Sequence, residues 1–326
     1  MVKLVTGAAG FIGFSVAQAL LESGEAVVGI DIVNDYYDVA LKEARLRLLL
    51  AYPNFTFHRR TIADPGLVEF ITGRHPDVTE IIHLAAQPGV RYSLVNPYAY
   101  VQSNIQGQVV MLELARALPG LRNFVYASSS SVYGANKETP FCVDQPVERP
   151  ISLYAATKRA DELITYTYSH LFKIPAVGLR FFTVYGPWGR PDMAPHLFTD
   201  AILAGRPIDV FNDGEMWRDF TYIDDIVAGI RAAHLRPPTP DADGVPHAVY
   251  NPGNHRAEKL MDLIAIIENA SGCKAVINFR PLQPGDVTST CADIDTARND
   301  LGYAPTTNLA DGLPRFVAWF RDFYQR

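Results

Sequence analysis

Three glycines at intervals of three follow the first apolar run of the chain. Val2–Thr6 is predicted to form a short buried strand, and Gly7, Gly10 and Gly13 come directly after it in TGAAGFIG. One glycine permits a tight turn, a second lets the backbone approach a pyrophosphate, and a third lets the following helix pack closely on its strand. Free N–H groups at the start of that helix favour phosphate oxygens. The segment therefore predicts a dinucleotide-binding turn.

The next strand supports this interpretation, since a glycine triplet alone is a weak signal. Ala26–Asp31 reads as a second strand that ends in an acid, at the place where a carboxylate that binds ribose is expected. A carboxylate there favours NAD over its 2′-phosphorylated form. We therefore expect NAD as the cofactor.

Composition and charge exclude several classes of function. The 326 residues carry a net charge of −6, so no basic surface for nucleic acid is expected. The three cysteines are scattered without a CxxC pair, and the eight histidines form no HExxH motif, so neither disulfides nor a metal site is expected. No apolar run reaches membrane-spanning length, and we expect a reduced, cytoplasmic protein.

Strand-like apolar runs alternate with helical patterns through the first half of the chain. The predicted helices cover residues 15–23, 39–50, 98–118 and 153–171. Near-continuous apolar strands between such helices indicate a parallel sheet that is covered on both faces. The predicted fold is therefore α/β, a doubly wound parallel sheet of the Rossmann type, with its ligand at the carboxyl ends of the strands.

The character of the chain changes near residue 180, where proline and glycine become frequent and charged and aromatic residues interleave. We expect residues 1–180 to form the NAD-binding domain and residues 181–326 to form a smaller C-terminal α/β lobe that binds the substrate. A later strand near 247–252 is expected to return to the first domain.

Two polar motifs indicate chemistry at the edge of the sheet. Tyr154 and Lys158 share one helix face, and a nearby ammonium lowers the pKa of a phenol, so that Tyr154 could act as a general base. Such a pair on its own is more often an ordinary surface contact. The four consecutive serines 128–131 favour the chemical interpretation, because they follow a predicted strand where ligands bind.

These motifs together resemble a known family. TGAAGFIG, Asp31, SSSSVYG at 128–134 and YAATK at 154–158 are similar to the extended short-chain dehydrogenase/reductase family and, within it, to the nucleotide-sugar epimerases. Longer strings resemble the UDP-glucuronate 4-epimerases, and these are DIVNDYYDVALK at 31–42, HLAAQPGVRYSLVNP at 83–97, LRFFTVYGPWGRPDMA at 179–194 and RDFTYIDDI at 218–226.

The resemblance implies NAD-dependent 4-epimerisation of UDP-glucuronic acid to UDP-galacturonic acid through a 4-keto intermediate. It gives Tyr154 the role of base, Lys158 that of its electrostatic partner, and Ser129 a hydrogen bond to the reacting C4 oxygen. The cofactor-binding residues that it implies are Gly7, Gly10, Phe11, Ile12, Gly13, Asp31, Asp64, Leu84, Ala85, Ala86, Asn104, Tyr154 and Lys158.

The resemblance also implies how the substrate is recognised. Arg190 distinguishes a uronate from a neutral hexose, because a guanidinium can bind a carboxylate through two hydrogen bonds. The implied substrate-binding residues are Arg91, Ser129, Ser130, Ser131, Thr183, Arg190, Phe211, Arg218 and Asp286. Many relatives hold the diphosphate with a second arginine where this chain has Gln283, and Arg280 is a possible substitute.

Other activities remain open at this point. A UDP-glucuronate decarboxylase shares the substrate and the first step, a UDP-glucose/galactose 4-epimerase shares the mechanism, and a binding module could hold NAD without chemistry. A 4,6-dehydratase is disfavoured, because Ser130 and Ser131 stand where such enzymes carry an acid pair. The resemblance further implies a homodimer that is formed through the segments 98–118 and 153–171.

Overall fold

A seven-stranded sheet forms the centre of the protein, in a computed structural model that describes residues 2–283 and 287–326. Its strands are β1 (Val2–Thr6), β2 (Ala26–Asp31), β3 (Phe55–Arg59), β4 (Val78–His83), β5 (Asn123–Ser129), β6 (Ala176–Phe181) and β10 (His247–Tyr250). They lie in the order β10-β6-β5-β4-β1-β2-β3, and all neighbours are parallel. The predicted doubly wound parallel sheet is confirmed.

Helices cover both faces of this sheet, and further helices lie in the later part of the chain. The α-helices of the described residues are α1 (Phe11–Glu22), α2 (Val39–Leu50), α3 (Gly66–Arg74), α4 (Tyr92–Val95), α5 (Pro97–Tyr100), α6 (Gly107–Ala117), α7 (Leu153–Phe172), α8 (Ala194–Leu203), α9 (Ile223–Leu235), α10 (Leu260–Ser271), α11 (Asp295–Leu301) and α12 (Leu309–Tyr324). Successive strand residues point to opposite faces, so Leu4 packs with α3 and α6 while Val5 packs with α1 and α9. Both residues are fully buried, which explains the continuous apolar runs.

The predicted helix over 98–118 is interrupted. Helix α5 continues into a π-helical segment, Val101–Gln106, before α6 begins at Gly107. A π-helical turn accommodates an extra residue, and such turns are frequent at functional sites. Helix α1 begins at Phe11, four residues before the predicted start, because the glycine turn leads directly into it.

The chain beyond β6 builds smaller units. Strands β7 (Thr183–Tyr185), β9 (Trp217–Tyr222) and β11 (Ala257–Lys259) form a mixed sheet, and β8 (Pro207–Phe211) pairs with β12 (Val276–Arg280). Helices α8, α10 and α12 pack together around buried residues such as Leu263, Ile267, Phe316 and Phe320. Strand β10 then lies beside β6, with His247 opposite Ala176. None of the helices in residues 2–283 and 287–326 is long and apolar enough to cross a membrane.

Candidate active site

The glycine turn connects β1 to α1 and packs against the backbone that follows β4. Gly7 has a φ of +72°, which glycine adopts without strain. A Cβ on Gly7 would lie 2.9 Å from the backbone nitrogen of Ala85, and a Cβ on Gly13 would lie 2.0 Å from the Gly7 carbonyl oxygen. Only glycine therefore allows this close approach, which leaves the N-terminus of α1 facing the edge of the sheet.

Thr6 fixes the backbone on the β4 side of this turn. Its hydroxyl oxygen accepts the N–H groups of Leu84 and Ala85, both at 3.1 Å. Its own proton is then donated to Nδ1 of His83, at 2.7 Å. Burial lowers the pKa of His83 to about 3, so this histidine is neutral and acts as an acceptor.

The Asp31 carboxylate stands at the end of β2. It accepts the backbone N–H of Ala9 at 3.0 Å and that of Val33 at 2.7 Å, one on each oxygen. Each oxygen keeps a further lone pair, and such a carboxylate can accept both hydroxyls of a ribose. Together with the glycine turn, this donor and acceptor set fits NAD.

One cavity of about 470 Å³ runs past the glycine turn, the Leu84–Ala85 backbone and Asp31. The sequence-predicted residues that line it are Gly7, Gly10, Phe11, Ile12, Gly13, Asp31, Leu84, Ala85, Ala86, Ser129, Tyr154, Lys158 and Arg190. Sequence reasoning did not assign a role to several other lining residues, among them Asn34, Tyr36, Tyr37 and Lys42. For Asn34, Tyr36 and Tyr37 a signal was available, since polar and aromatic residues that follow a strand of a parallel sheet lie at its ligand-binding edge, whereas Lys42 lies in α2.

Helix α7 brings Tyr154 and Lys158 to this cavity. The Ser152 hydroxyl caps the helix by accepting the N–H of Ala155 at 3.1 Å. The buried Lys158 ammonium donates to the Ala127 carbonyl oxygen at 2.9 Å and to the Asp161 carboxylate at 3.0 Å. Burial raises the pKa of Asp161 to about 6, against the opposing effect of Lys158. The ammonium is thus held in place beside the end of β5.

Asn104 explains the interruption between α5 and α6. It lies in the π-helical segment, where its amide oxygen accepts the N–H of Gln87 at 2.8 Å. Its amide nitrogen donates to the Gln87 carbonyl oxygen at 3.2 Å and to the Thr157 hydroxyl at 3.0 Å. Asn104 therefore joins the loop after β4 to the helix that carries Tyr154. It does not itself line the cavity within the described chain.

Comparison with known proteins agrees with this geometry. The model of the NAD dependent epimerase/dehydratase family matches residues 3–251. The chain belongs to the NAD dependent epimerase/dehydratase family. A probable UDP-glucuronate 4-epimerase of Rhizobium meliloti is 44% identical over 336 residues, which cover 99% of this chain and 98% of the relative. The family resemblance of the sequence motifs is confirmed.

Solved structures of related epimerases share the whole fold. UDP-glucuronic acid 4-epimerase from Bacillus cereus, in complex with UDP-glucuronic acid and NAD, gives a TM-score of 0.91 at 38% identity, covering 99% of this chain and 100% of that chain. UDP-glucose 4-epimerase from Thermotoga maritima, with UDP-glucose, gives 0.87 at 29% identity, with the same coverage of both chains.

The four consecutive serines 128–131 of this epimerase/dehydratase chain make different contacts. The Ser128 hydroxyl donates to Glu162 at 2.6 Å and is buried. Ser129 lines the cavity, and its hydroxyl oxygen accepts the N–H of Ser131 at 3.2 Å. Ser130 and Ser131 begin a short 3₁₀ turn and do not line the described part of the cavity. Of the four serines, Ser128 and Ser129 line the cavity, but only the Ser128 hydroxyl donates to Glu162.

Arg190 lines the cavity, but one edge of its guanidinium is already bound. Its Nε and Nη2 donate to the two carboxylate oxygens of Asp192, with Nε at 3.0 Å. The Tyr36 hydroxyl also donates to Asp192, at 3.0 Å. The sequence analysis expected Arg190 to bind a substrate carboxylate through two hydrogen bonds. It did not identify Asp192 as a carboxylate that Arg190 already binds in this way. A substrate carboxylate could displace Asp192, or it could bind the remaining edge that is formed by Nη1 and the second N–H of Nη2.

The other predicted residues lie outside the lining of this cavity, as far as the described residues show it. The Asp64 carboxylate accepts the N–H of Gly66, the first residue of α3, at 2.9 Å. The Arg91 guanidinium lies 4.9 Å from the centre of the Phe211 ring, and Arg218 donates to the carbonyl oxygens of Trp217 and Thr288. Thr183 begins β7, and Asp286 lies outside the described residues.

Arg280, the possible substitute for a second diphosphate arginine, is engaged elsewhere. Its Nε lies 3.1 Å from the carboxylate of Asp209 on β8. Among the described residues, no three His, Cys, Asp or Glu side chains lie close enough together to hold a metal ion.

Proposed function

We propose that this protein interconverts UDP-glucuronic acid and UDP-galacturonic acid at C4, with NAD as its cofactor. One observation carries the proposal. The Tyr154, Lys158 and Ser129 side chains line the same cavity as the glycine turn and Asp31, and Arg190 lies on its wall. The cavity is therefore lined by a glycine turn that fits a dinucleotide, by the candidate base Tyr154 and by Arg190, a cation that suits a uronate.

In this proposal Tyr154 is the general base, and Lys158 is its electrostatic partner one helical turn later on α7. The Ala127 carbonyl oxygen and the Asp161 carboxylate hold the Lys158 ammonium in place. Tyr154 takes the proton of the C4 hydroxyl, and Ser129 donates a hydrogen bond to the C4 oxygen. Bound NAD would supply the reversible hydride acceptor for C4. Rotation of the 4-keto sugar before the hydride returns inverts the centre without net redox change.

Arg190 is proposed to hold the uronate carboxylate. A 4-keto uronate is a β-keto acid, which loses CO2 when the breaking C–C bond stands perpendicular to the carbonyl plane. Arg190, assisted by Thr183 and the serines, would keep the carboxylate out of that geometry. The uronate carboxylate has to displace Asp192 or bind the N–H groups of Arg190 that Asp192 leaves free. We therefore expect this part of the site to be the most sensitive to the identity of the substrate.

The substrate lobe is proposed to comprise residues 181–326, with residues 1–180 binding NAD. Arg218 would bind the diphosphate, Phe211 would pack against the uracil, and Arg91 beside Phe211 would approach the phosphates or the sugar. Asp64 would bind the adenine amine, close to Thr61 and Ile62 on the cavity wall.

A homodimer through the segments 98–118 and 153–171 is proposed as well. Tyr98 is 82% exposed, and Val101, Leu163 and Tyr166 are also exposed apolar residues on these two segments. Pairing of these faces between two copies would remove them from water. The three cysteines are unpaired, which favours a cytoplasmic location.

A proton NMR time course with UDP-glucuronic acid and NAD-loaded protein tests the activity. We expect the anomeric and H4 signals of UDP-galacturonic acid, without release of CO2. Formation of a UDP-pentose would identify a decarboxylase instead. Conversion of UDP-glucose alone would identify a UDP-glucose/galactose 4-epimerase instead.

A further inference from the structure

Arg45 on α2 joins three separate segments around the cavity. Its side chain is completely buried. Nη1 donates to the Ala9 carbonyl oxygen at 2.8 Å and to the Tyr37 hydroxyl at 2.7 Å, and Nη2 donates to the Trp188 carbonyl oxygen at 2.6 Å. Ala9 belongs to the glycine turn, whereas Trp188 belongs to the segment after β7 that carries Arg190.

The charge of Arg45 has no carboxylate partner in the described part of the chain. No Asp or Glu oxygen there lies within 4.0 Å of its nitrogens, and its Nε–H has no acceptor. A buried guanidinium of this kind is costly unless its hydrogen bonds are satisfied. The two carbonyl oxygens and the Tyr37 hydroxyl are therefore held tightly, because movement of any of them would leave a buried charge without compensation.

Trp188 is held at its backbone and at its ring. Its φ is +65°, which is rare for a residue with a large side chain and strained unless its surroundings enforce it. Its ring lies 5.5 Å from Phe14 on α1 and 5.4 Å from Trp319 on α12. The carbonyl oxygen is bound by Arg45, and Arg190 follows two residues later.

We infer that Arg45 is a positioning residue, which fixes Arg190 relative to the glycine turn through the Trp188 carbonyl. The inference rests on the proposed function, in that Arg190 is the group that receives the uronate carboxylate. Arg45 itself touches neither substrate nor cofactor in this scheme. Its loss should therefore weaken recognition of a charged sugar much more than that of a neutral one.

Binding measurements on NAD-loaded protein test this inference. Isothermal titration gives the dissociation constants of UDP-glucuronic acid and UDP-glucose in a Tyr154→Phe background, which prevents turnover. Arg45→Lys keeps the charge, but one ammonium cannot reach three acceptors in different segments. We expect it to weaken UDP-glucuronic acid about tenfold and UDP-glucose less than about twofold, since a charge-assisted hydrogen bond to the uronate is impaired.

Trp188→Gly provides a second, independent perturbation. Glycine accepts the positive φ but removes the ring that packs on Phe14 and Trp319, while Arg45 and Ala9 stay in place. It should reproduce the loss specific to the uronate with NAD content unchanged. In the double variant the two losses should be less than additive, because both act through the same segment.

Lys3→Met is the matched control, since Lys3 is a buried cation that pairs with Glu80 and Glu25 at the other end of β1. It should lower the unfolding temperature without changing the ratio of the two affinities. If the wild type prefers the uronate and neither Arg45→Lys nor Trp188→Gly changes the ratio of the two dissociation constants, the inference about Arg45 is wrong and the proposed function stands. A wild type that turns over only UDP-glucose would instead reject the proposed function.

Discussion

Replacement of Glu80 by glutamine should destabilise the protein strongly and leave its chemistry intact. Glu80 lies in β4, at the end of the sheet away from the cavity, and its side chain is only 2% exposed. Its carboxylate is 2.8 Å from Lys3 and 2.6 Å from Nδ1 of His234, and it also binds Arg122. Burial alone would raise the pKa of Glu80, but these hydrogen bonds outweigh it and lower the pKa to about 2.

The magnitude follows from this fall in pKa. A change from the ordinary value of 4.5 to about 2 corresponds to about 3 kcal/mol of stability at neutral pH. The folded state binds the proton less tightly than the unfolded state, so the contribution is complete above about pH 5 and is lost as the pH falls from 4.5 towards 2. Less than half of it, roughly 1.4 kcal/mol, remains at pH 3.

Urea denaturation of wild type and Glu80→Gln at several pH values measures this contribution. We expect a loss of about 3 kcal/mol at pH 7 that shrinks below pH 4.5, with turnover at room temperature unchanged. Glu43→Gln is the control, because Glu43 forms an exposed ion pair with Arg59 and should cost less than about 1 kcal/mol. A loss below about 1 kcal/mol at pH 7, or one that does not depend on pH, would refute the reasoning.

Four further predictions concern the site and the assembly. Gly13→Ala should no longer retain NAD, because its Cβ would lie 2.0 Å from the Gly7 carbonyl oxygen; cofactor absorbance after gel filtration measures this, and full occupancy would contradict it. Tyr154→Phe should lower turnover about 10³-fold with an unchanged melting curve, as expected for loss of a general base. Arg190→Ala should weaken UDP-glucuronic acid by roughly 10- to 100-fold and release a UDP-pentose detectable by NMR, whereas tight binding with an unchanged product would argue against its role. Tyr98→Glu combined with Leu163→Glu should give a monomer by light scattering if these exposed residues form the dimer face.

The strands and helices of the first half of the chain could be predicted from its sequence, because both faces of a parallel sheet are buried and its strands are therefore continuously apolar. Apolar runs such as Val2–Thr6 and Ala26–Asp31 matched the observed strands, and the predicted helix over 39–50 matched α2. Periodicity could not reveal the π-helical segment Val101–Gln106, because one inserted residue leaves a helical pattern nearly intact. The cause is a tertiary contact, the hydrogen bonds between Asn104 and Gln87.

The candidate site likewise contains residues that the sequence could predict and residues that it could not. The glycine turn, Asp31, Tyr154 and Lys158 carry spacings that indicate their chemistry, and all of them line one cavity. Arg45 and Asp192 carry no such spacing, because their partners are distant carbonyl groups or a neighbouring guanidinium. Short strands such as β7 and β11, of three residues each, were also beyond sequence patterns, since they are held by neighbours rather than by their own propensity.

The position of β10 beside β6 has a consequence for biosynthesis. A ribosome completes β6 and then makes the whole segment 182–246 before the strand that covers its outer edge exists. Until then β6 presents a row of unpaired N–H and C=O groups that another nascent chain could bind. The pairing of β10 with β6 also brings together the two ends of segment 182–246, and a contact between residues so far apart in sequence forms slowly. Completion of the central sheet in the cell is thus timed by synthesis of residues 182–246.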